Sequence, residues 1–212
     1  MRKEIYMIRH GETELNRLGI VQGRGVDTDL NDTGRAQADA FFQHYQSIQF
    51  DKIYTSKLKR THQTVAAFIA LGLPWEQLEG LDELAWGIWE GQPNTEEARV
   101  AFKLMMEKWQ GGNYEAKFDQ GESPNDVMFR QQQAIKIIES RPKEQRILIC
   151  MHGRAMRLLL CWLTKKPLCE MGEFPHQNTT LYQLVYQDGQ YEIIDFNNII
   201  HLKDLNDTRG QD

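Results

Sequence analysis

The chain has 212 residues, which is long enough for one sizeable hydrophobic core, with or without an insertion. Apolar residues make up 41% of the chain and the formal net charge is −5, as in a soluble globular protein. Nothing in this composition indicates a nucleic acid or an acidic membrane as a partner. The three cysteines are few, odd in number and not spaced like metal ligands, which fits a reducing compartment. No signal-peptide core follows the first residues and no stretch is apolar enough to span a membrane, so we expect a single cytoplasmic domain over residues 1–212.

The first predicted element is a buried strand over residues 5–8, a short apolar run that ends at Arg9, His10 and Gly11. An arginine and a histidine at the end of a buried strand are costly unless something pairs with them. Ligands of open α/β sheets bind just beyond the carboxyl ends of the strands. Arg9 and His10 are therefore candidate ligand-binding residues.

A polar, glycine-bearing loop is predicted over residues 12–31, which are too irregular for a helix or a strand. The loop contains Asn16, Gln22 and Gly23. A loop that follows a strand carrying a site often contacts the ligand, so these residues are candidates as well. For Gln22 considered alone, an ordinary polar loop residue is the better interpretation.

The chain then alternates between helix and strand. Apolar residues at helical spacing follow Asp32, and residues 52–55 form a short strand. Ser56 can cap a second helix that carries Arg60 in its first turn, and residues 74–78 form an edge strand. Because Arg60 stands among other basic residues, the local pattern alone favours a solvated basic face.

Residues 81–91 form a loop rich in tryptophan that carries the carboxylates of Asp82, Glu83 and Glu90. An acidic residue in a loop is most often solvated. A glutamate brought close to tryptophan side chains would be partly desolvated, which would raise its pKa and keep it protonated. The local pattern does not choose among the three carboxylates.

Residues 92–122 contain a predicted helix over 98–109, which the sequence Gly-Gly-Asn then breaks. We expect this segment to be a lid-like insertion that covers the pocket and sets the size of the substrate. Ser123 and Asp126 have capping-box spacing with proline at the first helical position, so a further helix begins there.

The pattern of the first strand recurs late in the chain, where apolar residues 147–151 end at His152 and Gly153 and lead into a helix. If the two strands are neighbours, His10 and His152 face each other over one pocket, with Arg9 beside them. Two imidazoles and a guanidinium that converge suit an anion, and phosphate above all. A single His-Gly after a strand is usually just a turn, but two of them, one with an arginine, favour a binding site.

The order of the predicted elements indicates the fold class. Strands alternate with helices, and the chain ends with a hairpin that turns at Asp188 and Gly189. This order predicts an α/β protein, a three-layer α/β/α sandwich around a mostly parallel, mixed sheet. His201 and the polar tail after it are expected to be peripheral.

Residues 9–13, Arg-His-Gly-Glu-Thr, resemble the signature of the histidine phosphatase superfamily, the phosphoglycerate-mutase-like proteins. The resemblance covers nearly the whole chain and implies the same three-layer fold. Residues 56–60 resemble the second phosphate-binding arginine motif of the family, and residues 83–91 resemble its loop with a proton-donating glutamate. Two further motifs match the phosphatase branch of the family: Gln22-Gly23 and Gly121-Glu122-Ser123.

The resemblance also implies the roles of individual residues. His10 is the nucleophile, Glu83 is the proton donor and His152 is a second catalytic histidine. Several polar residues and glycines contact the phosphate or the rest of the substrate: Arg9, Asn16, Gln22, Gly23, Arg60 and Gly153. No step requires a metal or a cofactor, since acidic residues are not clustered at ligand spacing and the arginines would repel a cation.

These roles predict a phosphomonoester hydrolase that acts on a small phosphorylated metabolite through a phosphohistidine on His10. A phosphoglycerate mutase, which is an isomerase with the same intermediate, is the first alternative. The phosphatase-type motifs count against it, as does the lack of the mutase's paired lid arginines in residues 92–122. A non-catalytic phosphate-binding or interaction domain is the second alternative, although every catalytic residue of the family is present. The expected partner is a small phosphate ester, and neither a nucleic acid nor a membrane.

Overall fold

A mixed sheet of six strands runs through the computed structural model, which describes residues 2–203 and 205. In chain order the strands are β1 (Arg2–Arg9), β2 (Lys52–Thr55), β3 (Trp75–Gln77), β4 (Arg146–Met151), β5 (Leu181–Gln187) and β6 (Gln190–Asn198). Their order across the sheet is β3-β2-β4-β1-β5-β6. The pairs among the first four strands are parallel, whereas β5 is antiparallel to β1 and to β6. The predicted mostly parallel, mixed sheet is therefore confirmed.

Helices cover both faces of this sheet. They are α1 (Glu14–Arg17), α2 (Asp32–Tyr45), α3 (Lys59–Thr64), α4 (Ala66–Ala70), α5 (Glu96–Gln110), α6 (Pro124–Glu139) and α7 (Gly153–Leu163). Successive strand residues point to opposite faces, so Ile5 and Met7 join the core under α5, α6 and α7, while Tyr6 and Ile8 join the core under α2 and α4. The predicted three layers are thus confirmed. No helix in the described part of the chain has the length and apolar character needed to cross a lipid bilayer.

The two strands that precede the His-Gly sequences are neighbours at the centre of the sheet. In the parallel register of β1 and β4, Arg9 lies beside Met151. The N–H of His10 donates to the carbonyl oxygen of Met151 at 3.0 Å, and His152 follows directly. The two histidines therefore leave the sheet side by side at the carboxyl ends of parallel strands.

Two local predictions in the first third of the chain are wrong. Residues 12–31 are not wholly irregular, because α1 lies within them and Thr13 caps it in a reciprocal pair of hydrogen bonds with Asn16. The single helix predicted after Ser56 is divided into α3 and α4 at Val65, whose backbone leaves the helical region (φ −109°, ψ 14°). Helix α3 also begins at Lys59, later than the predicted cap Ser56, whose hydroxyl forms a hydrogen bond with His152 instead.

Later local predictions are confirmed. The helix predicted over 98–109 is α5, and α6 begins after a capping box between Ser123 and Asp126. The hairpin turn has positive φ at Asp188 (53°) and at Gly189 (78°). Positive φ at both central residues is what a type I′ turn between twisted strands requires.

His201 is not peripheral. Only 7% of its surface is exposed, and its Nε2 atom lies 3.1 Å from Oγ1 of Thr179. Its ring packs edge-on against Phe41, with 5.2 Å between the ring centroids. The segment after β6 therefore returns to α2 and covers that side of the core, a contact that no local pattern indicates.

Candidate active site

His10 and His152 form the centre of the candidate site. Their ring centroids are 5.1 Å apart and both side chains are buried. The guanidinium group of Arg60 comes from the helix layer and donates from Nε to Nδ1 of His152 at 3.2 Å. Arg9 precedes His10 at the end of β1. The structure thus brings these four predicted residues together.

The hydrogen bonds of His10 determine which of its nitrogens carries a proton. Nδ1 lies 2.7 Å from the carbonyl oxygen of Gly11, which can only accept, so Nδ1 is the donor. Burial, together with the positive charges of Arg60 and Arg9, holds the pKa of His10 well below its usual range. The ring is therefore neutral at neutral pH and Nε2 has a lone pair.

His152 has the opposite tautomer. Nδ1 accepts from Arg60, so Nε2 carries the proton and donates to Oγ of Ser56 at 2.8 Å. The Ser56 hydroxyl is in turn 3.0 Å from Oγ1 of Thr61. Burial and the charge of Arg60 lower the pKa of His152 well below its usual range. The Ser56 hydroxyl therefore fixes the ring orientation instead of capping a helix.

Arg60 is fully buried, which excludes the solvated basic face that its neighbours in the sequence favour. Its Nη1 donates to the carbonyl oxygen of Val26 at 2.7 Å and its Nη2 to that of Gly23 at 3.2 Å. These carbonyl oxygens are neutral, and no carboxylate forms an ion pair with Arg60 in the described part of the chain. The guanidinium charge is thus directed at the centre of the site without being neutralised there.

Arg9 also brings an unneutralised charge. Its Nη1 lies 3.0 Å from Nδ1 of His176, and its Nε is buried without a hydrogen-bond partner among the described residues. Burial lowers the pKa of Arg9 to about 10, so the group remains charged at neutral pH. A buried guanidinium with a free donor suits an anionic ligand.

Glu83 accepts three backbone hydrogen bonds, two of them from the start of α7. Its Oε1 accepts from the N–H groups of Leu84 and Ala155, both at 2.8 Å, and its Oε2 accepts from that of Arg154 at 3.0 Å. The carboxylate thus supplies the cap that α7 otherwise lacks, because His152 at the N-cap position makes no side-chain cap. This contact places Glu83 at the first turn of α7, which begins directly after His152.

The two competing carboxylates have other partners. Asp82 accepts from the N–H of Lys57 at 2.9 Å and from Arg24 at 3.3 Å. Glu90 accepts from the N–H groups of Trp86 and Gly25, at 2.8 and 2.9 Å. Burial raises the pKa of both groups. Both carboxylates tie loops together, which leaves Glu83 as the carboxylate beside the histidines.

An arginine that sequence reasoning missed holds the Glu83 loop from outside. Arg130 on α6 donates to the carbonyl oxygens of Asp82 and Glu83, at 2.8 and 2.9 Å, and pairs with Glu122. Glu122 accepts from the N–H of Ala85 at 2.9 Å. The predicted Gly-Glu-Ser motif contains Glu122, but nothing in the local pattern indicates Arg130.

Asn16 and Gln22, the two predicted polar residues of the first loop, form hydrogen bonds with other residues of the protein. Oδ1 of Asn16 accepts from the N–H of Thr13 at 3.2 Å and from Asn178 at 3.3 Å. The amide of Gln22 donates to Oγ1 of Thr13 and accepts from Thr28, both at 2.6 Å. These contacts hold the loop over β1, and they leave the side-chain Nδ2 of Asn16 without a partner among the described residues.

The two predicted glycines are required for close packing. A Cβ atom at Gly23 would lie 1.9 Å from Oε1 of Glu90, and one at Gly153 would lie 2.5 Å from the ring of His176. The backbone oxygen of Gly23 accepts from Arg60. Both glycines thus let neighbouring groups pack close to the site. Nothing in the local sequence pattern indicates that His176 is one of these groups.

Comparison with known proteins identifies relatives of most of the chain. A 6-phosphofructo-2-kinase/fructose-2,6-bisphosphatase from Gallus gallus is 34% identical over 185 residues, which are 86% of this chain and 37% of that protein. The chain thus spans little more than a third of the length of that relative. A human 6-phosphofructo-2-kinase/fructose-2,6-bisphosphatase 4 is 34% identical over 166 residues, 77% of this chain and 33% of that protein.

Solved structures of similar fold cover nearly the whole chain. YhfR from Bacillus stearothermophilus has a TM-score of 0.83 at 26% identity, covering 95% of this chain and 100% of that one. A mutant phosphoserine phosphatase from Entamoeba histolytica, in complex with phosphoserine, has a TM-score of 0.81 at 27% identity. That match covers 94% of this chain and 99% of the other. The sequence model of the histidine phosphatase superfamily (branch 1) matches residues 5–199, and the chain therefore belongs to this superfamily.

Proposed function

We propose that the protein is a phosphomonoester phosphatase that acts on a small phosphorylated metabolite through a phosphohistidine on His10. The superfamily and the relatives indicate phosphatase activity. The observation that carries the proposal is the state of His10. Its Nδ1 is held by Gly11, and burial beside Arg60 and Arg9 keeps the ring neutral with a lone pair on Nε2. A neutral imidazole is a good nucleophile near pH 7.

In the first step, Nε2 of His10 attacks phosphorus and the bond to the ester oxygen breaks. Arg9 and Arg60 neutralise the charge on the equatorial oxygens, which is the main requirement of phosphoryl transfer. Nε of Arg60 donates to Nδ1 of His152. A phosphoryl oxygen that accepts from Arg60 instead would leave His152 free to bind a proton at Nδ1 and donate it to the phosphoryl group.

Glu83 completes both steps by moving a proton. It protonates the leaving alkoxide and then takes a proton from the water that attacks the phosphohistidine. Oε1 accepts two hydrogen bonds and Oε2 accepts one, so Oε2 keeps a lone pair for this proton. The N–H groups at the start of α7 stabilise the carboxylate once it is ionised. The products are an alcohol and inorganic phosphate, and His10 is restored.

Two assays separate this proposal from its alternatives. Turnover of nitrophenyl phosphate that depends on His10 would exclude a non-catalytic phosphate-binding domain. With 3-phosphoglycerate, a phosphatase releases inorganic phosphate, whereas a mutase yields 2-phosphoglycerate. Predominant isomerisation would contradict the proposal. The Gln22-Gly23 and Gly121-Glu122-Ser123 motifs support hydrolysis.

We further propose that the chain is one domain in which residues 92–122 form a lid-like insertion. Trp86, in the same loop as Glu83, packs against Phe102 and Trp109 of α5, with ring centroids 5.0 and 5.7 Å apart. This aromatic cluster connects the insertion to the loop of the proton donor. A substitution in α5 would therefore act through the Glu83 loop and change the size of substrate that the site accepts.

We also propose that the protein works in the cytoplasm. Its three cysteines are free, and Cys150 and Cys161 are buried in the core. Free cysteines are usual in proteins of a reducing compartment.

We predict that Arg60→Ala weakens the binding of inorganic phosphate by about 10- to 150-fold, because a hydrogen bond to a charged group contributes about 1.5–3 kcal/mol. Arg60→Lys should recover only part of this loss, since an ammonium cannot bind phosphate through a planar pair of donors. Competitive inhibition by phosphate measures the effect. Lys59→Ala, an exposed basic neighbour, is the matched control.

Because Arg60 also holds the loop at Gly23 and Val26, the melting temperature of each variant must be measured alongside. Unchanged inhibition by phosphate in a folded Arg60→Ala protein would show that Arg60 is only a structural support of that loop.

We predict that activity survives exhaustive dialysis against a chelator. The candidate site presents the guanidinium charges of Arg9 and Arg60 without carboxylate partners, which disfavours a divalent cation. Hydrolysis of nitrophenyl phosphate before and after dialysis is the measurement, with a metal-dependent phosphatase treated in parallel. A loss of activity that magnesium or zinc restores would contradict the prediction.

A further inference from the structure

A turn at Asn178 and Thr179, just before β5, fastens the backbone at the end of β1. The N–H of Thr179 donates to the carbonyl oxygens of Arg9 and His10, at 3.1 and 3.4 Å. Nδ2 of Asn178 donates to the same carbonyl oxygen of His10 at 3.0 Å. Because β1 ends at Arg9, these hydrogen bonds hold the backbone from which the imidazole of His10 projects.

Thr179 makes these contacts from a strained backbone conformation. Its φ is 58°, in the left-handed region that glycine adopts freely and a β-branched residue rarely does. Threonine is therefore a costly residue at this position unless another contact holds it there. The side chain is fully buried, so that contact must come from within the protein.

The holding contact comes from His201, which lies 22 positions further along the chain. Its Nε2 is 3.1 Å from Oγ1 of Thr179. The hydroxyl donates its single proton to the carbonyl oxygen of Asn178 at 2.8 Å, so Oγ1 accepts from His201 and Nε2 carries the proton. Burial lowers the pKa of His201 to about 4, so the ring is neutral at neutral pH and has one N–H donor.

The imidazole of His201 is a polar group in an apolar setting. Its ring packs edge-on against Phe41 and Tyr45 of α2, with ring centroids 5.2 and 5.9 Å apart. Its Nδ1 is buried and has no hydrogen-bond partner among the described residues. An unpaired buried nitrogen is a cost that a phenylalanine or a leucine in the same place would avoid. The hydrogen bond to Thr179 supplies a reason for a histidine at this position.

We propose that His201 is a positioning residue for phosphoryl transfer and acts through Thr179 on the nucleophile His10. The hydrogen bond from Nε2 keeps Thr179 in the left-handed conformation in which its N–H reaches the end of β1. His201 takes no part in the making or breaking of bonds. This role rests on the proposed function, in which His10 attacks phosphorus.

Removal of the donor should slow the chemical step. His201→Phe keeps a flat ring against Phe41 and Tyr45 but has no N–H group. We expect it to lower kcat for nitrophenyl phosphate by about 10- to 100-fold, because a small displacement of a reacting group costs about that much in rate. His201→Gln, which keeps an N–H donor, should retain most of the rate. His44→Phe, at an exposed histidine of α2, is the matched control and should leave kcat unchanged.

A second substitution separates positioning from packing. Glycine at position 179 adopts a positive φ without help, so the histidine is no longer needed to hold it. In the Thr179→Gly background, His201→Phe should change kcat by less than about threefold, as expected when two substitutions remove the same interaction. A loss of equal size in both backgrounds would overturn the role, because it would make His201 a packing residue of the core. An unchanged kcat in a folded His201→Phe protein would overturn it as well.

Hydrogen exchange keeps this test independent of turnover. Relative to the core amides of β4, the amide of Thr179 should exchange at least about 10-fold faster in His201→Phe than in the unmodified protein. In the Thr179→Gly background, His201→Phe should leave the exchange of the amide at position 179 unchanged. If no phosphate ester is hydrolysed but this pattern is found, the phosphatase proposal fails and the contact between His201 and Thr179 stands. Equal protection of the Thr179 amide with and without His201→Phe rejects the role of His201, whatever the activity.

Discussion

His10→Ala should reduce phosphatase activity by roughly 10⁴–10⁶-fold, the range expected when a covalent nucleophile is removed. The physical reason is that the other imidazoles in the described part of the site have their unprotonated nitrogens engaged, and Nδ1 of His176 lies 3.0 Å from Nη1 of Arg9. Nδ1 of His152 accepts from Arg60, and its Nε2 carries the proton given to Ser56. Steady-state hydrolysis of nitrophenyl phosphate measures the loss.

The same variant tests the covalent intermediate directly. A phosphohistidine is labile in acid and stable in alkali, so rapid quenching with labelled substrate should trap a label that acid releases. His44→Ala, at an exposed histidine of α2, should incorporate the label as the unmodified protein does. Label that persists on His10→Ala protein would place the intermediate on another residue.

Glu83→Gln should lower the rate of hydrolysis of alkyl phosphates by ~10²–10⁴-fold, because an alkoxide leaves only with a proton. Nitrophenyl phosphate leaves as a stable phenolate and needs no proton, so phosphorylation of His10 by this ester should be little affected. If Glu83 also activates the water, the variant should release nitrophenol in a burst and then turn over slowly. Stopped-flow absorbance with nitrophenyl phosphate and phosphate release from alkyl esters measure the two effects.

The controls for this experiment follow from the hydrogen bonds of the loop. The amide oxygen of glutamine can replace Oε1 of Glu83 between Leu84 and Ala155, whereas its NH₂ group opposes the N–H of Arg154. A loss of about 1–3 kcal/mol in unfolding free energy is therefore expected and should be measured separately.

Asp82→Asn and Glu90→Gln remove carboxylates that only tie loops together, so neither should show the difference between ester types. Equal losses on alkyl and aryl esters in Glu83→Gln, without a burst, would mean that Glu83 only holds the start of α7.

Features encoded by residues close together in the chain could be predicted without the structure. The two apolar runs that end in His-Gly, the capping box at Ser123 and the turn at Asp188 and Gly189 are confirmed as elements or turns. Each depends on alternation, capping or turn chemistry within a few residues. The repeated motif at the ends of two buried strands predicted a shared site only on the condition that β1 and β4 are neighbours, which the structure shows them to be.

The state of each site residue depends instead on partners far along the chain. Arg60 meets His152 across 92 positions, Arg9 meets His176 across 167, and Glu83 meets the start of α7 across 71. A local pattern cannot show whether a basic residue on a helix faces solvent or the site, since that depends on which face the sheet covers.

Tertiary packing likewise decided which of three carboxylates lies beside the histidines. The N–H groups of Lys57 and Gly25 donate to Asp82 and Glu90, whereas the start of α7 has no side-chain cap from its own N-cap residue. The unsatisfied N–H groups of the helix that follows His152 are stabilised by hydrogen bonds to a nearby carboxylate. In this fold that carboxylate belongs to Glu83, so the helix that follows one candidate catalytic residue positions the other.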